Sequence, residues 1–376
     1  MADHDLTGFT KSTFTHDGAT RRLLRRGTGP AVIIMAEIPG ITPKVLGFAE
    51  RVAASGCTAV LPVLFGEPGR DTDPAAVGWP SVGRSLASSL WQVCVSREFT
   101  LLATGRSSRV VRWLRALAAA EHERCGGPGV GAVGMCLTGG FALAMATDER
   151  LVAPVLSQPS LPLACTRSRA GAIDISPGEL AVVRRRCERD GLQVLGLRFR
   201  GDRLVPGDRF AYLRRELGDA FVAVELDAEA ANPASALAPH SVLTEHLLID
   251  EPGQPTRQPT STTVLDLFRI RLLEGAAVPD RVTRPAARQP SGDPASGPVR
   301  SEIRIRAAPP TARSGPTPHQ GSPTGRLEPA GRPVVRSSGR HGGLRCACCV
   351  AKSSAACHNG SHSREGQALQ TDDIGV

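Results

Sequence analysis

The stretch Val130–Ala142, VGAVGMCLTGGFA, decides how this chain is read. An uncharged run of strand type ends in Gly134-Met135-Cys136-Leu137-Thr138-Gly139-Gly140, and a helix of small and apolar residues follows. A sharp strand-to-helix turn of this kind lifts its central side chain above a sheet, and glycines around it keep the crowded backbone free of Cβ atoms. The side chain lifted here is a thiol. Unpaired N–H groups at the start of the following helix, with its positive dipole end, favour a thiolate at that point and an oxyanion formed later. The competing explanation is a buried structural cysteine in a Gly-rich turn, since free Cys is among the most buried residue types. The residue two beyond the cysteine is Thr138, where the simple pattern has Gly.

Working outward, residues 10–275 alternate between strand and helix patterns. Thr10–Arg26 reads as a hairpin turning at Asp17-Gly18. Ala31–Ala36, AVIIMA, and Cys57–Leu61 are continuous apolar runs of the sort buried in a parallel sheet. Pro43 opens a helix to about Ser55. Arg109–Glu121 places Val110, Trp113, Leu114 and Leu117 on one helical face. Further strands are expected at Gly129–Met135, Leu151–Leu156, Leu192–Phe199 and Phe221–Leu226. Helices are expected at Gly139–Thr147, Pro177–Arg189, Pro206–Leu217 and Thr262–Leu273. Strands separated by helices imply a mostly parallel sheet covered on both faces, a three-layer α/β class.

Composition divides the chain. Of the net charge of +9, residues 276–376 carry +7, from 14 Lys and Arg against 7 Asp and Glu. All 14 aromatic residues precede position 276, whereas 12 of the 30 prolines follow it. Such a segment cannot bury enough apolar surface to offset its conformational entropy, so 276–376 is expected to be a disordered Arg/Pro-rich tail behind a near-neutral domain at 10–275 and a short extension at 1–9. This excludes a uniformly basic nucleic-acid binder; nucleic acid would be met only through the tail. Cys346, Cys348, Cys349, Cys357 and His358 are too cramped for paired zinc ligands, so no metal site is expected. With no apolar run near the length of a membrane span and no N-terminal signal pattern, a cytoplasmic protein with reduced cysteines is expected.

A thiol nucleophile needs a base, and the base needs an orienting acid. In this type of fold they follow in the order nucleophile, acid, histidine. Asp202 lies just past the strand Leu192–Phe199, at the carboxyl end where ligand and catalytic groups gather. Its alternative role is an ordinary turn or cap residue, and Asp208 in the next helical turn is the fallback acid. Downstream of the acid, only His240 and His246 precede position 276. His240, in Ala238-Pro239-His240-Ser241, is favoured as a loop residue beyond the last strand. His246 is the alternative, in a stretch of helical type. Cys136, Asp202 and His240 form the expected triad.

These segments resemble the dienelactone hydrolase family, a branch of the α/β-hydrolase fold, over about residues 10–275. The resemblance rests on Glu37-Ile38-Pro39-Gly40, Gly134-Met135-Cys136-Leu137-Thr138-Gly139-Gly140, Gly201-Asp202-Arg203-Leu204-Val205-Pro206 and the His240 loop. It implies a cofactor-free hydrolase of small-molecule esters or lactones working through a Cys–His–Asp triad and a thioester. By the same resemblance, Glu37 controls the resting thiol, and the backbone N–H groups of Ile38 and Leu137 form the oxyanion hole. Arg97, in Cys-Val-Ser-Arg-Glu-Phe, is the candidate for holding a substrate carboxylate, with a structural Arg97–Glu98 pair as its alternative. A non-catalytic scaffold, with Cys136 as a buried or redox-sensing thiol, is the competing expectation.

Overall fold

The expected hairpin forms at the edge of the sheet. Strand β1 (Thr10–His16) pairs antiparallel with β2 (Ala19–Arg26), and both turn residues, Asp17 at φ 48° and Gly18 at φ 74°, are left-handed. A two-residue turn with positive φ at both positions matches the right-handed twist of its strands. The structure is a computed structural model that describes residues 6–71, 78, 80, 83, 107–235, 237–248 and 259–274. All of these fall in the first of the chain's two units, Met1–Arg313.

The remaining strands are β3 (Ala31–Met35), β4 (Thr58–Pro62), β5 (Val130–Met135), β6 (Leu151–Ser157), β7 (Val194–Phe199) and β8 (Phe221–Leu226). One eight-stranded sheet has the order β1-β2-β4-β3-β5-β6-β7-β8, with β2 antiparallel to β4 and every later pairing parallel. Strands β3, β4, β5 and β7 are buried along their whole length, which is why they read as unbroken apolar runs rather than alternating ones.

Helices cover both faces. They are α1 (Pro43–Ala54), α2 (Val110–Cys125), α3 (Phe141–Met145), α4 (Arg167–Ala170), α5 (Pro177–Asp190), α6 (Gly207–Leu217) and α7 (Pro259–Phe268). Two apolar cores result, one on each side of the sheet. Trp113, Leu117, Phe141 and Phe210 lie in one; Phe48, Leu46, Phe199 and Phe268 lie in the other. The ends of α1 and α5 follow their sequence signals. Thr42 and Ser176 accept N–H bonds as caps just before Pro43 and Pro177, and Gly191 closes α5 in the left-handed conformation.

The connection after β3 runs to β4 on one side, whereas β5 lies on the other side of β3. The carboxyl ends of β3 and β5 therefore flank a topological switch point, where a crevice opens in sheets of this kind. Three differences from the sequence expectation bear on this region. The helix expected at Gly139–Thr147 begins instead as a 3₁₀ turn at Cys136–Thr138 and is regular only over α3. His246 lies in a turn, not a helix, and the short α4 was not anticipated.

Candidate active site

Cys136 ends β5 at φ 53°, a left-handed conformation rare for a residue with a side chain. It is the one partly exposed residue between Gly129 and Ala146; its neighbours on both sides are buried. The turn is as crowded as its glycines imply. A Cβ on Gly134 would lie 2.1 Å from the Thr138 carbonyl oxygen, and one on Gly139 would lie 2.4 Å from Pro159 Cα. Backbone strain held by close packing on all sides is the usual mark of a site where a side chain must be aimed.

Thr138, the departure from the simple pattern, is fully buried. Its Oγ1 accepts the Met135 N–H at 2.9 Å and donates to the Met35 carbonyl at 2.8 Å. The hydroxyl thus ties the turn after β5 to the end of β3. A glycine there could make neither bond.

Beyond β7, Asp202 is buried and both its oxygens are used. Oδ1 accepts the Leu204 N–H at 2.9 Å, fixing the carboxylate within its own turn, and Oδ2 accepts His240 Nδ1–H at 2.6 Å. The fallback acid, Asp208, is exposed on the first turn of α6. His240 Nε2, the nitrogen away from Asp202, is buried with no standard hydrogen bond among the described residues. Its electrostatic partner is the Cys136 sulfur. Burial opposes a charged ring, but the adjoining Cys136 and Asp202 outweigh it and push His240 up to about 11. The three side chains thus lie together, with the His240 ring between the Cys136 sulfur and the Asp202 carboxylate.

His246 supports the loop that holds His240. It is buried, its Nδ1 accepts the N–H groups of His240 (3.3 Å) and Ser241 (3.1 Å), and its Nε2 donates to the Leu237 carbonyl (3.1 Å). Both ring nitrogens are thus engaged in holding the loop.

Glu37, at the end of β3, is also buried. Oε2 accepts from Gln158 Nε2 at 3.0 Å and Ser241 Oγ at 2.7 Å, and Oε1 accepts from Thr244 Oγ1. Three neutral donors satisfy this charge, and two of them belong to the His240 loop. Gln158 completes the tie, since its Oε1 also accepts the Val242 N–H at 3.3 Å. Ile38 lies beside Glu37 at the same strand end, and Leu137 is the first residue beyond the thiol, inside the 3₁₀ turn. Arg97 lies outside the described residues, as do Cys94 and the cysteine cluster at 346–357. Among the described residues, no group of His, Cys, Asp and Glu side chains could hold a metal ion.

The sequence reading did not single out Ser160, whose Oγ lies 3.0 Å from Cys136 Sγ, nor Gln158, nor the buried Arg209 of α6. Gln158 stands at φ 33°, another left-handed side-chain residue, at the carboxyl end of β6. Its run Ser157-Gln158-Pro159-Ser160 carries only the signals of a turn.

The sheet order, the switch point and the strained thiol turn define an α/β-hydrolase fold. Residues 22–167 match the family model described as the Dienelactone hydrolase family. The chain is accordingly a hydrolase of the α/β type. No curated protein matches the chain. Among solved structures it is similar to a putative dienelactone hydrolase from Klebsiella pneumoniae subsp. pneumoniae, at 18% identity and TM-score 0.38, covering 58% of this chain and 84% of that one. A dienelactone hydrolase-like promiscuous phosphotriesterase from metagenomic libraries is 18% identical, TM-score 0.41, covering 69% and 96%. A cold-adapted esterase from an Arctic intertidal metagenomic library is 14% identical, TM-score 0.38, covering 60% and 87%. No helix among the described residues is long and apolar enough to cross a membrane.

Proposed function

We propose that the protein hydrolyses ester or lactone bonds of small molecules with Cys136 as nucleophile, His240 as acid and base, and Asp202 as its orienting carboxylate. The observation that carries this reading is the thiol surfaced in a strained turn opposite a histidine whose far nitrogen is bound to a buried carboxylate at 2.6 Å.

The chemistry follows from the charges. The thiolate sulfur attacks the carbonyl carbon, and the carbonyl π pair moves to oxygen. The backbone N–H groups of Ile38 and Leu137 hold that oxyanion; donors fixed before the reaction need no reorganisation during it. The oxyanion collapses, the C–O bond breaks, and the His240 imidazolium gives its proton to the departing alkoxide. The thioester that remains is opened by water. Neutral His240 takes the water proton, hydroxide adds to the carbonyl, and the C–S bond breaks to return the electron pair to sulfur. Asp202 keeps Nδ1 protonated throughout, so Nε2 alone exchanges the proton. For a substrate bearing a carboxylate, Arg97 is the proposed counter-charge, through a guanidinium fork.

Hydrolysis of a p-nitrophenyl ester and of a dienelactone by the purified protein tests this. Cys136→Ala should reduce turnover by at least about three orders of magnitude, as loss of a nucleophile does, with an unchanged unfolding midpoint. Wild-type rates in that variant would sink the proposal.

A further inference from the structure

Resting on the thiol-hydrolase reading, we propose that Ser160 is a further catalytic residue, the hydroxyl donor that holds the Cys136 sulfur as a thiolate at rest and receives it again when the thioester is cleaved.

The contact is direct: Ser160 Oγ donates to Cys136 Sγ at 3.0 Å. Ser160 is 1% exposed, so bulk water does not compete for that hydroxyl. A hydroxyl has one hydrogen, and an anionic sulfur accepts it far better than a neutral thiol, so the bond favours the charged form.

Ser160 is also registered against the sulfur by its backbone. Its N–H donates to the carbonyl of Cys136 itself at 3.0 Å. On either side, the carbonyls of Pro159 and Pro162 each accept from the Arg209 guanidinium at 2.6 Å. Pro159 packs so tightly on the thiol turn that position 139 admits only glycine. The loop after β6 is thus built down onto the elbow, and the side chain it delivers is a hydroxyl aimed at the nucleophile.

The groups that share this space argue for the same role. His240 approaches from the loop after β8, with Asp202 behind it. Glu37 comes from β3, but its carboxylate is taken up by Gln158, Ser241 and Thr244. Arg209, from α6, lies behind Pro159. Of these groups, Ser160 alone offers the sulfur a neutral donor that keeps its own proton. In the forward step, the sulfur pair moves to the carbonyl carbon and the hydrogen bond weakens. In deacylation, the C–S bond breaks, the pair returns to sulfur, and the Ser160 O–H again accompanies it. No proton leaves Ser160 in either direction.

Iodoacetamide alkylation of Cys136 followed against pH reads the thiolate without any substrate. In Ser160→Ala the rate on the acid limb should fall about tenfold, the scale of one hydrogen bond to a charged group, while the alkaline plateau stays within about threefold. Ser160→Thr, which keeps the hydroxyl, should restore most of the acid-limb rate. An acid limb unchanged in Ser160→Ala would overturn the proposal, as would equal losses in the Ala and Thr variants. The two readings separate cleanly. Hydrolysis absent from the wild type, with Ser160-dependent alkylation intact, would overturn the hydrolase and leave the Ser160–thiolate contact standing. Active wild type with Ser160-independent alkylation would overturn Ser160 alone.

Discussion

The two ends of β6 are held by the same device and serve different ends. At its start, Arg186 of α5 gathers the carbonyls of Ala146, Asp148, Glu149 and Leu151 at 2.7–3.1 Å. Beyond its last residue, Arg209 of α6 gathers those of Pro159, Pro162, Arg169, Ala172 and Leu204 at 2.6–3.4 Å. A guanidinium has five N–H donors in a fixed fork, which suits a knot of carbonyls left over where irregular chain turns back into the core. The arginines differ in their anions. Arg186 also meets the Asp190 carboxylate at 3.2 Å. Arg209 makes all its hydrogen bonds to backbone carbonyls, and burial pushes it down to about 10 although the Asp202 charge works the other way. Keeping Arg209 off Asp202 leaves that carboxylate's Oδ2 to His240. The contrast is one of position: the buried Arg209 ties down the loop that carries Ser160 and the turn after Asp202, whereas Arg186 ties down the chain that enters β6.

The sharpest break of this comparison replaces each arginine by methionine. Both variants should lose about 3–5 kcal/mol of stability in urea unfolding, because several buried carbonyls lose their donor at once. Measured well below the unfolding transition, Arg186→Met should hydrolyse esters at close to the wild-type rate. Arg209→Met should lose about a hundredfold in kcat/KM, since misplacing the Ser160 and Asp202 loops by about an ångström misaligns the reacting groups. Equal activity in the two folded variants would abolish the distinction between the ends.

Gln158 sharpens it next. It sits at the carboxyl end of β6 and joins Glu37 of β3 to the His240 loop through Val242. Gln158→Leu should cost about 2–3 kcal/mol, since it removes a donor from a buried carboxylate and an acceptor from a buried N–H. It should also lower kcat by about tenfold through the loosened His240 loop, with KM little changed. A loss confined to stability would make the polar tie a purely structural one, like the Arg186 knot.

Much of this architecture was legible in the sequence, and what escaped has a common cause. Buried strands announce themselves as apolar runs, and the thiol turn announces itself by glycines that packing demands. Asp202 and His240 could be placed because strand ends locate them. Loop position favoured His240 over His246 but could not show which ring reaches Asp202; that ring is His240. Glu37 was expected, on the strength of a resemblance, to control the resting thiol; its carboxylate accepts from Gln158, Ser241 and Thr244, partners that chain position could not reveal. Ser160, Gln158 and Arg209 were missed because a turn serine, a turn glutamine and an arginine beside Asp208 look like solvated surface until tertiary contacts bury them. Thr138 looked like a flaw in a glycine pattern, because its value lies in a hydrogen bond to another strand.

The loop after β6 carries one further buried charge, and its protonation gives the smallest effect. Asp174 is fully buried; its Oδ2 accepts from Ser108 Oγ at 2.6 Å, and its Oδ1 has no partner among the described residues. Burial raises it to about 7, with the Ser108 bond opposing and Glu179 adding to the rise. An unfolded aspartate titrates near 4, so the folded protein binds the extra proton between those values. The stability this contributes is complete below about pH 4 and is lost as pH rises through about 7. Asparagine cannot ionise, so Asp174→Asn should remove that loss. Its unfolding free energy relative to wild type should improve by about 2 kcal/mol between pH 5 and pH 8. The pH dependence of Arg186→Met should match that of the wild type, because the knot before β6 contains no carboxylate held in this way. A wild-type unfolding curve independent of pH over that range would mean that the Asp174 carboxylate finds a partner in the folded chain, and the β6 loop would then hold no unpaid charge.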